Sequence, residues 1–171
     1  MTRLDRRSVL LGASALGGLA LLPFAGRLVG AASAAGPVPG TFEVTRTEEE
    51  WRTLLGPEAY YVMRQQGTEA PWSSPLLDEH RDGLFHCAGC DLPLFDSATK
   101  YDSRTGWPSF WAPLDDAVGT MVDHLIGYPR TEVHCRRCGG HLGHVFEDGP
   151  PPTGLRYCMD GVALRFEPRP A

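Results

Sequence analysis

Two cysteine pairs, Cys87-Ala-Gly-Cys90 and Cys135-Arg-Arg-Cys138, constrain the fold of this chain more than any other feature. Each lies beside glycine, and two such knuckles place four thiolates tetrahedrally around a zinc ion at about 2.3 Å. The interval between Cys90 and Cys135 exceeds that of a compact zinc ribbon. The metal would therefore clamp two distant hairpins and supply folding energy directly. Two disulfides or a thioredoxin-like redox pair compete with this reading but fit less well, because a redox C-x-x-C opens a helix in a βαβ setting and neither pair has one. His86, His134 and His141 stand close enough to replace a thiolate, but four cysteines at matching spacing leave no need for them. The expectation is one structural zinc on Cys87, Cys90, Cys135 and Cys138.

The chain has 5 cysteines, so one thiol is left over. It is Cys158, in Arg156-Tyr157-Cys158. A thiolate is the reactive form, and adjacent positive charge such as Arg156 lowers its pKa, so Cys158 is a candidate nucleophile. A buried structural cysteine is the plainer alternative. Two features favour chemistry. Gly140-His141-Leu142-Gly143-His144 sets two histidines just past the second knuckle, and Gly106-Trp107-Pro108-Ser109-Phe110 is an aromatic cluster suited to a methyl-bearing ligand.

The rest of the chain reads as short elements. Thr47 with Glu50 forms a capping box ahead of a short helix carrying Trp51, Leu54 and Leu55. Gly56-Pro57 ends that helix and opens a second, with Tyr60 and Met63 on one face and Gly67 as its stop. From Gly83 onward, apolar runs at Leu84-Phe85, 92–95, Met121-Val122, 142–146 and 162–166 alternate with Gly, Pro and Asp, the texture of antiparallel β. The 171 residues are 42% hydrophobic and 22% charged, enough for one domain. A net charge of −5 argues against a nucleic-acid partner.

An export segment precedes the domain. Arg3, Arg6 and Arg7 are followed by an uncharged Leu/Ala/Gly run from Ser8 to Gly26, and Ala32-Ser33-Ala34 offers a cleavage site. Arg6-Arg7-Ser8-Val9-Leu10 looks like a twin-arginine signal. The division expected is a signal over 1–34, a Pro/Gly linker over 35–46 and the folded domain over 47–168, with an extracytoplasmic or periplasmic destination. A general-secretion signal and an uncleaved anchor are the alternatives, since the uncharged run approaches the roughly 20 residues that span a bilayer.

Gly67-Thr68-Glu69, Cys87 to Cys90, Lys100-Tyr101-Asp102-Ser103, GWPSF at 106–110, CRRCGGHLGHVFEDGPPPTG at 135–154 and RYC at 156–158 occur in this order. Together they closely resemble the type B methionine sulfoxide reductases, over roughly Thr47 to Pro168. The resemblance implies a mainly β domain of two antiparallel sheets, sandwich-like or barrel-like, with short N-terminal helices. It also implies a zinc site remote from the catalytic thiol and selectivity for the R epimer. Carried over by position, Cys158 would be the nucleophile, Trp107 would hold the substrate's ε-methyl with Phe110 beside it, and His141 and His144 would orient and protonate the sulfoxide oxygen. Asp148 and Arg156 would help arrange the site, with Asp160 at its edge. The chemistry is coherent, because a sulfoxide oxygen needs an acid opposite the attacking thiolate, and attack at sulfur yields methionine and a sulfenic acid.

Two departures follow from the same comparison. The family often carries a resolving cysteine just before GWPSF, where this chain has Arg104-Thr105. An external thiol, a thioredoxin-like relay or a small molecule, is therefore expected to reduce the sulfenic acid. After the nucleophile the family usually shows Asn-Ser, where this chain has Asp160-Gly161, and an added carboxylate would raise the thiol's pKa unless Arg156 or Arg165 neutralises it. The partners expected are oxidised peptides or proteins and that thiol, the setting is oxidative stress and protein repair, and the protein is expected to be a monomer. The rival is a zinc-stapled β binding module without catalysis.

Overall fold

The computed structural model describes residues 42–170. The export segment and the first part of the linker lie outside the described residues. Chain order is α1 (Glu48–Gln65), β1 (Gly83–Cys87), β2 (Pro93–Asp96), β3 (Lys100–Tyr101), β4 (Ser109–Phe110), β5 (Val118–Asp123), β6 (Arg130–Cys135), β7 (His141–Phe146), β8 (Arg156–Met159) and β9 (Leu164–Pro168). Among the described residues no helix is long and apolar enough to cross a membrane.

The start of α1 follows the sequence closely. Thr47 Oγ1 accepts from the Glu50 backbone N–H at 3.2 Å, and the Glu50 carboxylate accepts in return from Thr47 N–H at 2.7 Å. The two expected helices are one helix kinked at Gly56 (φ 71°, ψ 174°), with Pro57 opening the second half. Gly67 is not the left-handed residue that stops it. Gln66 takes that conformation (φ 55°), while Gly67 is needed for space, since a Cβ there would sit 2.2 Å from the Tyr61 ring. Trp51, Tyr60, Val62 and Met63 are the buried residues of α1.

The strands form two antiparallel sheets, a three-stranded one in the order β2-β1-β9 and a six-stranded one in the order β3-β4-β8-β7-β6-β5. The expected mainly β domain with two antiparallel sheets is what the chain adopts. An aromatic stack joins the sheets. Phe110 on β4 stacks on Phe95 of β2 (4.4 Å between ring centroids, 18° between planes) and meets Phe85 of β1 edge-on at 4.9 Å, while Phe85 lies 5.0 Å from Phe166 of β9. These edge and stacked geometries add to what burial alone contributes.

Two strand boundaries differ from the sequence reading. The expected strand over 162–166 begins as a 3-10 turn, Gly161–Ala163, because the Glu69 carboxylate takes the N–H groups of Gly161 and Val162 at 2.6 and 3.0 Å and removes them from the ladder. Cys158, ahead of β9, itself lies within a strand, β8, that the apolar pattern did not mark.

Phe85 is fully buried at the junction of the two sheets. Phe85→Ala is expected to lower the unfolding free energy by about 3–5 kcal/mol, the usual range for a fully buried phenylalanine. Leu54→Ala, at a side chain 51% exposed, should stay within about 0.5 kcal/mol of wild type. Urea titrations of both variants check the contrast.

Candidate active site and metal centre

One cysteine pair hangs from each sheet. Cys87 ends β1 and Cys135 ends β6, with Cys90 and Cys138 in the turns that follow. The four Sγ atoms lie within 4.8 Å of one another, with 3.6 Å between Cys87 and Cys138 and 3.5 Å between Cys90 and Cys135. A tetrahedron with 2.3 Å metal–sulfur bonds has edges of about 3.8 Å, so four sulfurs at this spacing can hold a metal ion. All five cysteines are free thiols, without the disulfide alternative. His141, weighed as a possible ligand, is engaged elsewhere: its Nδ1 lies 2.7 Å from Glu132 Oε1. Helix α1 packs over the knuckles, and Arg64 donates to the Cys138 carbonyl at 3.2 Å.

The leftover thiol sits mid-sheet. In register, Cys158 on β8 opposes His144 on β7 and Ser109 on β4. Alternation along the strands turns their neighbours Tyr157 and Phe110, themselves a cross-strand pair, toward the inter-sheet core. Phe110 is fully buried there. This corrects the expectation that Phe110 contacts substrate: a strand residue one step from Ser109 faces the opposite way.

His141 and His144 are three apart, and in a regular strand such residues point to opposite faces. Here their rings lie 5.2 Å apart, edge to face. The cause is a bulge: Val133 pairs with Gly143 but the next residue, His134, pairs with His141, so β7 carries one extra residue. Gly143 adopts φ 146°, and a Cβ there would stand 2.1 Å from the Cys158 carbonyl oxygen. No other residue fits.

Buried carboxylates hold both histidines. Glu132, fully buried, accepts from Gln66 at 3.0 Å and meets His141 Nδ1, leaving His141 Nε2 buried with no hydrogen-bond partner. His144 Nε2 lies 2.6 Å from Asp123 Oδ2, which also accepts from Arg130 at 2.8 Å. Burial holds His144 below the usual histidine range, despite the opposing pull of Asp123.

Of the remaining expected residues, Arg156 and Asp160 act on the thiol directly, and Asp148 and Trp107 connect to them through hydrogen bonds. Arg156 grips Asp148 through two bonds of 2.8 Å and lies over the Phe146 ring at 4.4 Å. Trp107 is half-buried, donates its Nε1–H to the Glu69 carbonyl at 3.2 Å, and forms one wall of a cleft of about 460 Å³ that also borders Trp72, Lys100, Tyr101 and Ser103. Asp160 is buried, with Oδ1 accepting from Glu69 N–H at 2.8 Å and Oδ2 3.9 Å from His141 Nε2. Neither arginine expected to neutralise it does so, because Arg156 is paired with Asp148 and Arg165 with Asp91. Burial pushes the Asp160 carboxyl from an ordinary 3.8 up to about 6. Burial likewise raises the Cys158 thiol, opposed by Thr105 and Arg156 and reinforced by Asp160.

Sequence reasoning missed two residues that organise this site. Glu69 binds Asp160, Trp107 and the turn at Gly161 together, and Glu132 orients His141. Glu132 offers a weak signal, a carboxylate within an otherwise apolar burial pattern that only strand pairing reveals. Glu69 was visible within the Gly67-Thr68-Glu69 block, but nothing local to it announces a contact some ninety residues away.

Comparison with known proteins agrees with this geometry. Residues 55–168 match the SelR domain model. The chain is 56% identical over 128 residues to a peptide methionine sulfoxide reductase MsrB of Pseudomonas putida strain W619, covering 74% of this chain and 96% of that protein. It is 51% identical over 131 residues to the protein of the same name from Leifsonia xyli (75% and 94% covered) and 50% identical over 127 residues to that of Agrobacterium fabrum (74% and 94%). With Cys158 paired to His144 and four cysteines gathered as a metal site, on a chain this similar throughout its folded part, the protein belongs to the SelR-domain family of peptide methionine sulfoxide reductases.

Proposed function

We propose that this protein reduces the R epimer of methionine sulfoxide in peptides and proteins to methionine, with Cys158 as nucleophile. The observation that carries the reading is the cross-strand pair of Cys158 and His144, with the His141 ring 5.2 Å from that of His144 and its Nε2 without a hydrogen-bond partner. Glu132 holds the Nδ1 side of His141, so Nε2 is the atom that delivers a proton to the sulfoxide oxygen. The thiolate attacks sulfur as that oxygen is protonated, and methionine leaves behind a sulfenic acid on Cys158. Trp107 in the wall of the cleft suits the ε-methyl, while Arg156, held by Asp148, keeps a positive charge near the thiolate.

Zinc is the ion proposed for Cys87, Cys90, Cys135 and Cys138, because a tetrahedral thiolate set suits it, and it would act there as a structural staple. With those four engaged, Cys158 has no partner among the 5 cysteines. Two equivalents of an external thiol, from a thioredoxin-like relay or a small molecule, therefore return the sulfenic acid to thiol with release of a disulfide and water. Turnover of separated R and S epimers of a methionine-sulfoxide peptide with dithiothreitol tests the reading. Loss of the R epimer alone, abolished by Cys158→Ser, is expected. If zinc-loaded protein consumes neither, a zinc-stapled binding module replaces it.

Export through the twin-arginine route belongs to the same proposal, supported by Arg6-Arg7 and the uncharged run that follows. N-terminal sequencing of the extracytoplasmic protein should begin at Ala35. An intact Met1 in the membrane fraction would mean an anchor.

Asp160 makes stability depend on pH. Its folded pKa is raised to about 6 from 3.8, so its protonated form stabilises the native state at low pH, and that stability is lost as pH rises through 6. Asp160→Asn keeps the acceptor for Glu69 N–H and removes the charge. The variant is expected to exceed wild type in stability, with the gap widening by about 1 kcal/mol between pH 5 and pH 8. Urea midpoints at the two pH values measure it, and a constant gap would mean that Asp160 does not titrate there.

A further inference from the structure

Behind Cys158 the site contains a line of hydroxyls that the proposed reaction has not yet used. Thr105 Oγ1 lies 3.8 Å from Cys158 Sγ, Ser103 Oγ lies 2.8 Å from Thr105 Oγ1, Ser109 Oγ lies 2.7 Å from Ser103 Oγ, and Ser109 also reaches the Trp107 carbonyl at 3.1 Å. The line is built rather than incidental. Ser109 is held by strand pairing directly opposite Cys158, and only 1% of it is exposed. Ser103 and Thr105 sit on the loop between β3 and β4, where Asp102 caps the Arg104 backbone N–H at 2.9 Å.

Each hydroxyl has a single proton to give. When Cys158 is a thiol, one arrangement gives every donor an acceptor: Cys158 S–H to Thr105, Thr105 to Ser103, Ser103 to Ser109, and Ser109 to the Trp107 carbonyl. When Cys158 is a thiolate it can only accept, so Thr105 must turn its proton onto sulfur. Ser103 then donates to Thr105, and Ser109 is free to donate to Ser103. In both protonation states each hydroxyl proton of the line has an acceptor without moving a heavy atom.

We propose that Thr105 is a catalytic residue whose hydroxyl donates a hydrogen bond to the Cys158 thiolate, and that Ser103 and Ser109 are positioning residues whose hydroxyls reverse direction to allow it. The inference rests on Cys158 being the nucleophile. It assigns work to the position where the family often carries a resolving cysteine: in this chain that place holds a hydroxyl that stabilises the attacking sulfur. A hydrogen bond to an ionised group is about twice as strong as a neutral one. The other groups facing Cys158 are Arg156 on its own strand, shared with Asp148, Asp160 at the strand's end, His144 from β7 and Tyr101 from β3. Burial and Asp160 oppose the thiolate, while Thr105 first, then Arg156, half committed to Asp148, and Ser109 support it, so two of the three supports are hydroxyls of this line.

The test is the rate of Cys158 alkylation by iodoacetamide between pH 5 and pH 10, read by peptide mass mapping in full-length, metal-loaded protein. In Thr105→Val, which keeps the shape and removes the hydroxyl, the midpoint is expected to rise by about one pH unit, a tenfold loss of thiolate at neutral pH. Greater nucleophilicity of the more basic sulfur offsets part of this, leaving alkylation at pH 7 about threefold slower. Thr105→Ser should return the midpoint to that of wild type, and Ser103→Ala should shift it by less than Thr105→Val. An unchanged midpoint in metal-loaded Thr105→Val overturns the proposal, as does a raised midpoint that Thr105→Ser fails to restore. Alkylation needs no sulfoxide, so a wild-type protein that turned over neither epimer would still give this titration, and the two readings fail separately.

Discussion

The four-cysteine centre is the constraint on which the rest depends, because its two halves belong to different sheets. Cys87 and Cys90 close the turn between β1 and β2, and Cys135 and Cys138 close the turn between β6 and β7. A metal bound there fixes the three-stranded sheet against the six-stranded one at one end, and the stack of Phe85, Phe95 and Phe110 fixes them further along. Metal affinity in such a site is folding free energy, since the unfolded chain holds no preformed tetrahedron. The same turn launches β7, so the strand bearing His141 and His144 starts from a clamped point.

Clamping alone would leave the histidines on opposite faces. The extra residue in β7 and the backbone of Gly143 rotate the strand locally, and the thiol is met by His144 in register while His141 comes alongside. Bulges of this kind re-aim side chains next to active sites. The cost is borne by the neighbours: with a left-handed glycine pressed against the Cys158 carbonyl, β7 and β8 cannot slide past each other without breaking the site.

Much of this was legible in the sequence. The paired knuckles, the leftover Cys158 and the capping box at Thr47 follow from residue type and spacing, and α1 and the longer apolar strands follow from pattern. The two-residue strands β3 and β4 were not legible, since pairs such as Lys100–Tyr101 carry no period and exist only because β8 draws Ser109–Phe110 into the sheet. Phe110 was misread for a related reason. Its motif suggested a substrate pocket, but facing direction depends on strand phase, which is a property of pairing. Glu69 and Glu132 escaped because a carboxylate reads as surface until the fold brings donors to it. The segment before residue 42 was read from charge and apolar pattern alone.

The number of donors around each carboxylate decides which of them titrates. Asp123 is buried, which raises its pKa, yet the Leu125 N–H, His144 and Arg130 more than offset this and hold it below the usual aspartate value. Glu69 accepts two backbone N–H groups, and burial still leaves it raised. Asp160 receives one backbone N–H on Oδ1, and its other oxygen faces His141 Nε2 at 3.9 Å, too far for a hydrogen bond. An amide at this place would put a donor toward His141. The carboxylate instead leaves an oxygen on that side, facing the ring nitrogen to which the proposed chemistry assigns the proton. Asp160 also opposes the Cys158 thiolate through like charge. The hydroxyls of Thr105, Ser103 and Ser109 supply on the thiol side the support that Asp160 removes.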